Sequence, residues 1–251
     1  MGKNKIYRRK IRKRRRILRF FLSILLSISL YLFTFKTGFF NIKDIQVVGN
    51  HKMDYNKIVK ASMCTIGENT FKINKKTGEK SLDRLSYVKN SRIRRKLPNT
   101  IIIEIEERTE MAIIPHIGSF VYIDDEGYIL SIEEKNTDTK LPQVFGVELT
   151  EFNIGENLFE QLENTNLENF TILSKQIGLL SSMKYINLSD TNNIRVELND
   201  GIKVIFGSID NIQYKLSFLS EIQKDIKKKD INVKQISFNK GDNPVIVMGD
   251  K

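Results

Sequence analysis

The sequence predicts an α+β protein with three parts: an N-terminal single transmembrane helix, a small β-α-α-β-β module, and a β-rich mixed α/β domain. Three observations carry this expectation. Phe20 to Phe35, FFLSILLSISLYLFTF, runs sixteen residues without a charge. Beyond it, short runs of alternating apolar and polar residues end at Gly, Pro or Asn, the pattern of strands. Between those runs lie stretches with apolar residues three and four apart, the spacing of a helix face. With 251 residues and 40% hydrophobic content, one or two folded units can bury real cores.

The uncharged run reaches roughly 24 Å as a helix, and roughly 28 Å with Ile17 and Leu18 added and Arg19 snorkelling, close to the hydrocarbon thickness. Phe20, Leu25, Leu30 and Phe35 mark it as a membrane anchor. A cleaved signal peptide needs a small-x-small pair after its apolar core, and Lys36-Thr37-Gly38-Phe39 offers none, so residues 20–37 are expected to be retained. Basic residues crowd before the span, which predicts a cytoplasmic N-terminus and an external bulk, the single-pass type II arrangement.

The net charge of +11 suggests a polyanion partner until it is located. Residues 3–19 hold eleven of the 41 Lys and Arg and no acid, which leaves thirty bases against 30 acids elsewhere. The tail, residues 1–19, is thus a topology signal that also meets anionic inner-leaflet lipid, at about 1 kcal/mol per basic residue. It lacks the aromatic interleaving or folded motif of a nucleic-acid binder, so nucleic acid is not an expected partner. One cysteine, Cys64, cannot close an intramolecular disulfide, and with two distant histidines it has no companions for zinc. It reads as a small buried hydrophobe among Ala61, Met63 and Ile66.

The first outer segment covers residues 39–108. A short strand within Phe39–Asn50 ends at the turn pair Gly49-Asn50. Asp54 caps a helix to about Met63. A loop through Ile66-Gly67-Glu68-Asn69-Thr70-Phe71 follows, then a short helix from near Thr77 that carries Leu82 and Leu85 inward. Two strands flank Leu97-Pro98-Asn99, with Ile101, Ile103 and Ile105 on one face and Ile102, Glu104 and Glu106 on the other. Arg92, Arg94, Arg95 and Lys96 are balanced by Glu104, Glu106 and Glu107 on the neighbouring strand, which suits cross-strand charge pairs. Arg92, Arg94 and Arg95 are also a candidate docking face, since an exposed edge strand invites strand addition.

The second outer segment covers residues 109–251. Ala112-Ile113-Ile114-Pro115 leads into a hairpin of Phe120–Ile123 and Tyr128–Leu130 across Asp124-Asp125-Glu126-Gly127, read as a solvated turn without EF-hand spacing. Residues 133–140 form a polar loop. Phe170, Leu173, Ile177 and Leu180 recur at helical spacing over Leu167–Ser182. Strands follow at 186–188, 194–198 and 202–206. Ser208 or Asp210 is then expected to cap a helix whose stripe is Ile212, Leu216, Leu219, Ile222 and Ile226. The segment closes with two strand-like runs, Ile231–Phe238 and Val245–Met248, separated by residues 240–244.

The order of elements, the V-x-G-N of Val47–Asn50, the G-x-N-x-F of Gly67–Phe71 and the hairpin YVKNSRIRRKLPNTIIIEIEER together resemble a polypeptide-transport-associated (POTRA) domain. Directly after a signal anchor with a basic tail, and over most of the chain, they resemble the bacterial cell-division protein family DivIB/FtsQ. The resemblance implies a divisome scaffold at the division septum, without cofactor or metal. Its last strand edge would receive a strand from a small bitopic partner of the DivIC/FtsB type, paired with an FtsL-type protein, and a septal penicillin-binding protein would be a further partner. Carried onto this sequence, the contact falls on Phe238, Val245, Ile246 and Val247. Functions carried by a long C-terminal tail in some relatives are not carried over. The alternative function is a POTRA-bearing secretion or outer-membrane assembly factor.

A transpeptidase reading fails on order. Ser86-Tyr87-Val88-Lys89 matches S-x-x-K and Lys76-Thr77-Gly78 matches K-T-G, but such short patterns recur in this chain, at Ser181–Lys184, Ser237–Lys240 and Lys36–Gly38. The K-T-G here precedes Ser86 by too few residues to stand across a cleft from it. His51 and His116 have no Ser, Cys or carboxylate frame, and no catalytic role is expected.

Overall fold

A computed structural model describes residues 2–148, 152–162, 165–241 and 243–249, with side chains from residue 14 onward. The basic side chains from Lys3 to Lys13, Asp242 in the last predicted turn, and Asp250-Lys251 lie outside the described residues. The architecture is α+β, and the chain divides into two compact units: Met1–Asp83 with Val88–Glu107, and Arg84–Tyr87 with Arg108–Lys251.

The first unit opens with α1 (Gly2–Lys36), whose stretch Arg14–Lys36 is long and apolar enough to cross a membrane. Several hydroxyls of this stretch bond back to helix carbonyls, as hydrocarbon favours. Ser23, Ser27, Thr34 and Thr37 donate to the carbonyls of Phe20, Ser23, Leu30 and Phe33 at 2.6–2.9 Å. Then come β1 (Asp44–Val48), α2 (Tyr55–Ala61), α3 (Lys75–Leu82), β2 (Val88–Lys96) and β3 (Thr100–Glu107), with sheet order β1-β3-β2. β1 runs parallel to β3 and β2 antiparallel to it.

Local chemistry sets the helix boundaries. The Asp54 carboxylate accepts the Lys57 amide, and Asn74, two to three residues ahead of the predicted start, accepts the Thr77 amide. The predicted strand faces hold: Ile101, Ile103 and Ile105 are buried with Ile45, Ile58, Leu82 and Ile93. Gly78 is needed where α3 passes α2, because a Cβ there would stand 2.4 Å from the Ser62 carbonyl oxygen. The K-T-G tripeptide is therefore a helix-packing turn, not a strand. Beside it, the Cys64 thiol is buried, which pushes its pKa up.

The second unit contains β4 (Ala112–His116), β5 (Ser119–Ile123), β6 (Ile129–Glu133), β7 (Gln143–Phe145), α4 (Leu158–Gln161), α5 (Asn166–Gln176), β8 (Met183–Asn187), β9 (Ile194–Leu198), β10 (Lys203–Gly207), α6 (Ile212–Lys229), β11 (Val233–Ser237) and β12 (Val245–Met248). Among the described residues these strands form one mixed sheet in the order β12-β11-β10-β9-β8-β7-β4-β5-β6. β10 and β11 are parallel, with α6 as the crossover that a parallel pair needs. Phe170, Phe206, Leu216, Leu219 and Ile236 lie in one core.

Several expectations are corrected here. Ala112–His116 is a strand paired with β5, through a turn at Ile117 and Gly118 that both adopt positive φ. Ile rarely does so, and the pair carries no hairpin signature. Pro115 is tolerated because the short β7 pairs with β4 only at Ile113. The helix expected through Ser182 ends at Gln176, where Ile177 caps it and Gly178 turns left-handed before a short 3-10 turn, Leu180–Ser182. Neither Ser208 nor Asp210 caps α6; the position falls to Asn211 at φ 56°, while the Ser208 hydroxyl donates to Asp210. Ile226, at the end of the α6 stripe, is only partly buried.

The acidic turn is not fully solvated either. Asp124 is 1% exposed; its Oδ1 accepts the amides of Glu126 and Tyr128, and its Oδ2 takes the Arg108 guanidinium at 2.5 Å. Arg108 also reaches Glu126 at 2.7 Å and lies 3.7 Å over the Tyr128 ring. Burial alone would lower the Arg108 pKa, but the carboxylates of Asp124 and Glu126 outweigh it and raise it. Arg108→Ala would leave a buried carboxylate without its cation and is expected to cost about 3–5 kcal/mol. Glu126→Gln, on the exposed side, should cost below about 1 kcal/mol. Urea denaturation of residues 39–251 measures both.

Glu107, at the end of β3, collects the backbone amides of Lys52 and Met53 at 2.8 and 2.9 Å. Burial would raise its pKa, but these amides, that of His51 and the His51 charge lower it overall. A lowered folded value stabilises above the ordinary glutamate pKa and is lost as pH falls through the folded value. Stability should thus fall on acidification below about pH 4, and Glu107→Gln should flatten that fall; urea midpoints as a function of pH read it.

Candidate functional site

The predicted contact residues lie at one end of the large sheet. Among the described residues β12 is its terminal strand, paired on one side only, antiparallel to β11, in the register Ser237↔Val245, Ile236↔Ile246 and Gln235↔Val247. The outer edge of a terminal strand carries backbone donors and acceptors without a ladder partner. Val245, Ile246, Val247 and Met248 are all apolar and 40, 42, 41 and 58% exposed. Four consecutive exposed apolar residues on an unprotected edge are the pattern that soluble proteins blunt with charge, Pro or a bulge.

The two faces of β12 differ. Ile246 and Met248 stand opposite the buried Ile236 and Val233. They turn toward α6, where Phe218, Ile222, Ile226 and Ile231 complete an apolar groove. Lys224 and Lys229 lie on its rim. Val245 and Val247 point to the opposite face. The edge therefore offers backbone pairing together with a groove into which an apolar side chain fits. Met248 and the α6 residues line this candidate site, although the sequence placed Met248 only in the last strand and Ile222 and Ile226 only in a core stripe. Ile222 and Ile226 read as core in the sequence, because a helical stripe does not show which of its residues the sheet leaves uncovered.

Phe238 does not stand with the other three. Its amide donates to the Ile205 carbonyl at 2.8 Å, and its ring stacks on Phe206 at 5.4 Å and meets Phe218 edge-on at 6.5 Å. It packs against the core, because the chain passes the end of β11 before it turns, which folds the last aromatic of the run under the sheet. The structure gathers Val245, Ile246 and Val247 on the edge, and packs Phe238 against Phe206 and Phe218.

The basic cluster on β2 also divides. Strand alternation puts Arg92 and Arg94 on one exposed face, where Arg94 pairs with Glu104. Arg95 turns to the other face and donates to the carbonyls of Thr70 and Ile73 at 2.7 and 2.9 Å. Arg95 thus holds the Asn69–Ile73 loop, and only Arg92 and Arg94 remain as a surface. β2 is an edge strand of its sheet. The anchor residues Phe20, Leu25 and Leu30 are exposed along α1, while Phe35 is half-buried against Tyr31 and Phe71.

The Ser86 hydroxyl, singled out by S-x-x-K, donates to the Leu130 carbonyl at 2.8 Å, a structural bond. Among the described residues, no group of three or more His, Cys, Asp or Glu is placed to hold a metal ion.

An apolar helix long enough to cross a membrane, a β-α-α-β-β module of the POTRA type and a β-rich domain that ends in an open sheet edge define a membrane-anchored protein. Comparison with known proteins gives the class its family. Residues 40–108 match the model for the FtsQ-type POTRA domain, and residues 112–237 match that for the C-terminal domain of cell division protein FtsQ/DivIB. The cell division protein DivIB of Clostridium tetani is 31% identical over 197 residues, 78% of this chain and 74% of that protein. DivIB of Clostridium acetobutylicum is 31% identical over 77% of this chain and 79% of its own. FtsQ of Corynebacterium glutamicum is 25% identical over 73% and 78%. A solved extracytoplasmic domain of DivIB from Geobacillus stearothermophilus aligns with 17% identity and a TM-score of 0.34, over 49% of this chain and 97% of that one. The chain belongs to the FtsQ/DivIB family of cell division proteins.

If the β12 edge and Phe238 play these separate roles, their substitutions should separate as well. Val247→Thr is expected to leave stability within about 0.5 kcal/mol, as a surface change does, whereas Phe238→Ala should cost about 3 kcal/mol through the lost stack. Thermal and urea unfolding of residues 39–251 distinguish them.

Proposed function

We propose that this protein is a bitopic scaffold of the division machinery that uses β12 to receive a strand from a small bitopic partner of the DivIC/FtsB type, itself paired with an FtsL-type protein. The observation that carries the reading is the exposed, wholly apolar edge of Val245–Met248 beside the groove of Phe218, Ile222 and Ile226. Backbone pairing along the edge would supply affinity. A side chain of the added strand seated between Ile246, Met248 and α6 would supply specificity.

In this reading residues 1–19 are a cytoplasmic tail lying on anionic lipid, residues 20–37 the anchor, residues 39–108 the POTRA module and residues 109–251 the partner-binding domain. The excess of basic residues before the span supports a type II orientation, and family membership supports work at the septum. Arg92 and Arg94 are a second candidate docking face, suited to an acidic partner, a septal penicillin-binding protein among the candidates. The protein acts by binding and orienting partners, with no chemistry of its own.

The test is a pull-down of residues 40–251 against membrane extract, alongside a variant with Val245, Ile246 and Val247 replaced by polar residues and a matched urea midpoint. Recovery of small bitopic coiled-coil proteins by the parent and their loss in the variant is the expected result. Retention by the variant would sink the assignment to β12, and capture of many unfolded clients would favour a secretion or assembly role.

A further inference from the structure

The end of the spanning helix and the loop after α2 are fastened together. The Asn69 side-chain amide donates to the carbonyl of Thr34 at 2.8 Å, inside the last turn of the apolar run, and Asn41 pairs with Asn69 as an isolated bridge. The Phe71 ring lies 5.1 Å from Phe40 and 6.4 Å from Phe35, and Phe33 touches both Phe39 and Phe40. Thr70 adds a hydroxyl bond to the Phe40 carbonyl, and Arg95 holds the loop from its other side. Residues thirty and more positions apart are thereby locked at one level.

That level is fixed by the helix. Its apolar run ends at Phe35, so Thr34 lies just inside the hydrocarbon boundary once α1 spans a bilayer. The interfacial layer outside that boundary is about 5–7 Å thick. A ring 6.4 Å from Phe35, on a loop bonded to Thr34, cannot stand clear of it. Yet the tip of the loop is open: Asn69, Thr70 and Ile73 are buried, but Phe71 is 39% exposed, Phe39 is 51% exposed, and Lys36 and Lys72 are exposed beside them. Phenylalanine rings flanked by lysines suit shallow insertion at the boundary between acyl chains and anionic headgroups, as the apolar and basic residues of interfacial helices do.

We propose that Phe39, Phe71 and Lys72 form a lipid-seated foot of the POTRA module, which rests in the bilayer surface on the module's own side and sets how the module stands on the membrane. The occupant of this surface is the phospholipid of the bilayer that α1 crosses, because the surface is continuous with the helix. The inference rests on the reading of α1 as a membrane span.

The sequence contains no Trp, so single substitutions report their own depth. The full chain is placed in nanodiscs of phosphatidylcholine and phosphatidylglycerol brominated either near the carbonyl end of the acyl chain or near its methyl end. Three variants are compared: Phe71→Trp in the loop, Val48→Trp at the opposite end of β1, and Leu25→Trp in the span. Val48 is 54% exposed and lies four residues up the strand, roughly 13 Å away from its start. Phe71→Trp is expected to be blue-shifted and quenched by shallow bromine several-fold more than Val48→Trp, while Leu25→Trp responds to deep bromine. Equal, weak quenching at positions 71 and 48, with Leu25→Trp still quenched, would overturn the foot and point to a protein partner for these rings, with the anchor intact. No quenching at Leu25→Trp would overturn the anchor and the foot with it.

Discussion

A peptide group removed from water must find a hydrogen-bond partner, and the form of this molecule follows from how that demand is met in each segment. In the apolar N-terminal run the only sufficient partner is the chain itself, so it is a helix, and the hydroxyls of Ser23, Ser27 and Thr34 turn back onto its own carbonyls. In the two sheets the partners are neighbouring strands, and each sheet grows until an edge is reached. Among the described residues β12 has no strand on its outer side, so water serves that edge, and apolar side chains stand there in place of the charges that commonly protect an edge. What pairs each backbone group also locates the place where another chain can join.

Buried charge is handled by the same logic of compensation. Asp124 is withdrawn from water at the start of the β-rich unit, and it is tolerated because two amides, the Arg108 guanidinium and the turn geometry surround it. Glu107 receives the amides that precede α2, and Arg95 satisfies two loop carbonyls. Charged residues that look like surface decoration in the sequence are thus divided between solvent and structure. Arg92 and Arg94 stay outside, while Arg95 and Arg108 work within their own units.

Much of the fold was legible in the sequence because its signals are local. The uncharged run, the alternation of Ile101, Ile103 and Ile105, the Leu97-Pro98-Asn99 turn and the α6 stripe each require only a periodicity and a break. The missed elements lack such marks. β4 contains a proline and turns through Ile117, α4 is a single turn capped by Asn157, and the helix end at Ile177 interrupts an apolar spacing that continues past it. Of the candidate contact residues, Val245, Ile246 and Val247 stand on the sheet edge with Met248, whereas Phe238 packs against Phe206 and Phe218.

The sequence alone determined the anchor, the order of the modules and the strand faces, because those depend on hydrophobic period and charge along the chain. Only the tertiary structure decided which strand would be last in the sheet, since pairing order is settled by contacts between residues distant in sequence. It placed Phe238 under the sheet and Arg95 on the Asn69–Ile73 loop because a side chain's direction depends on where its strand ends and which face is already filled. It brought Phe71 to the end of the spanning helix by the same means, through a bond from Asn69 to Thr34 that no pattern in the chain announces.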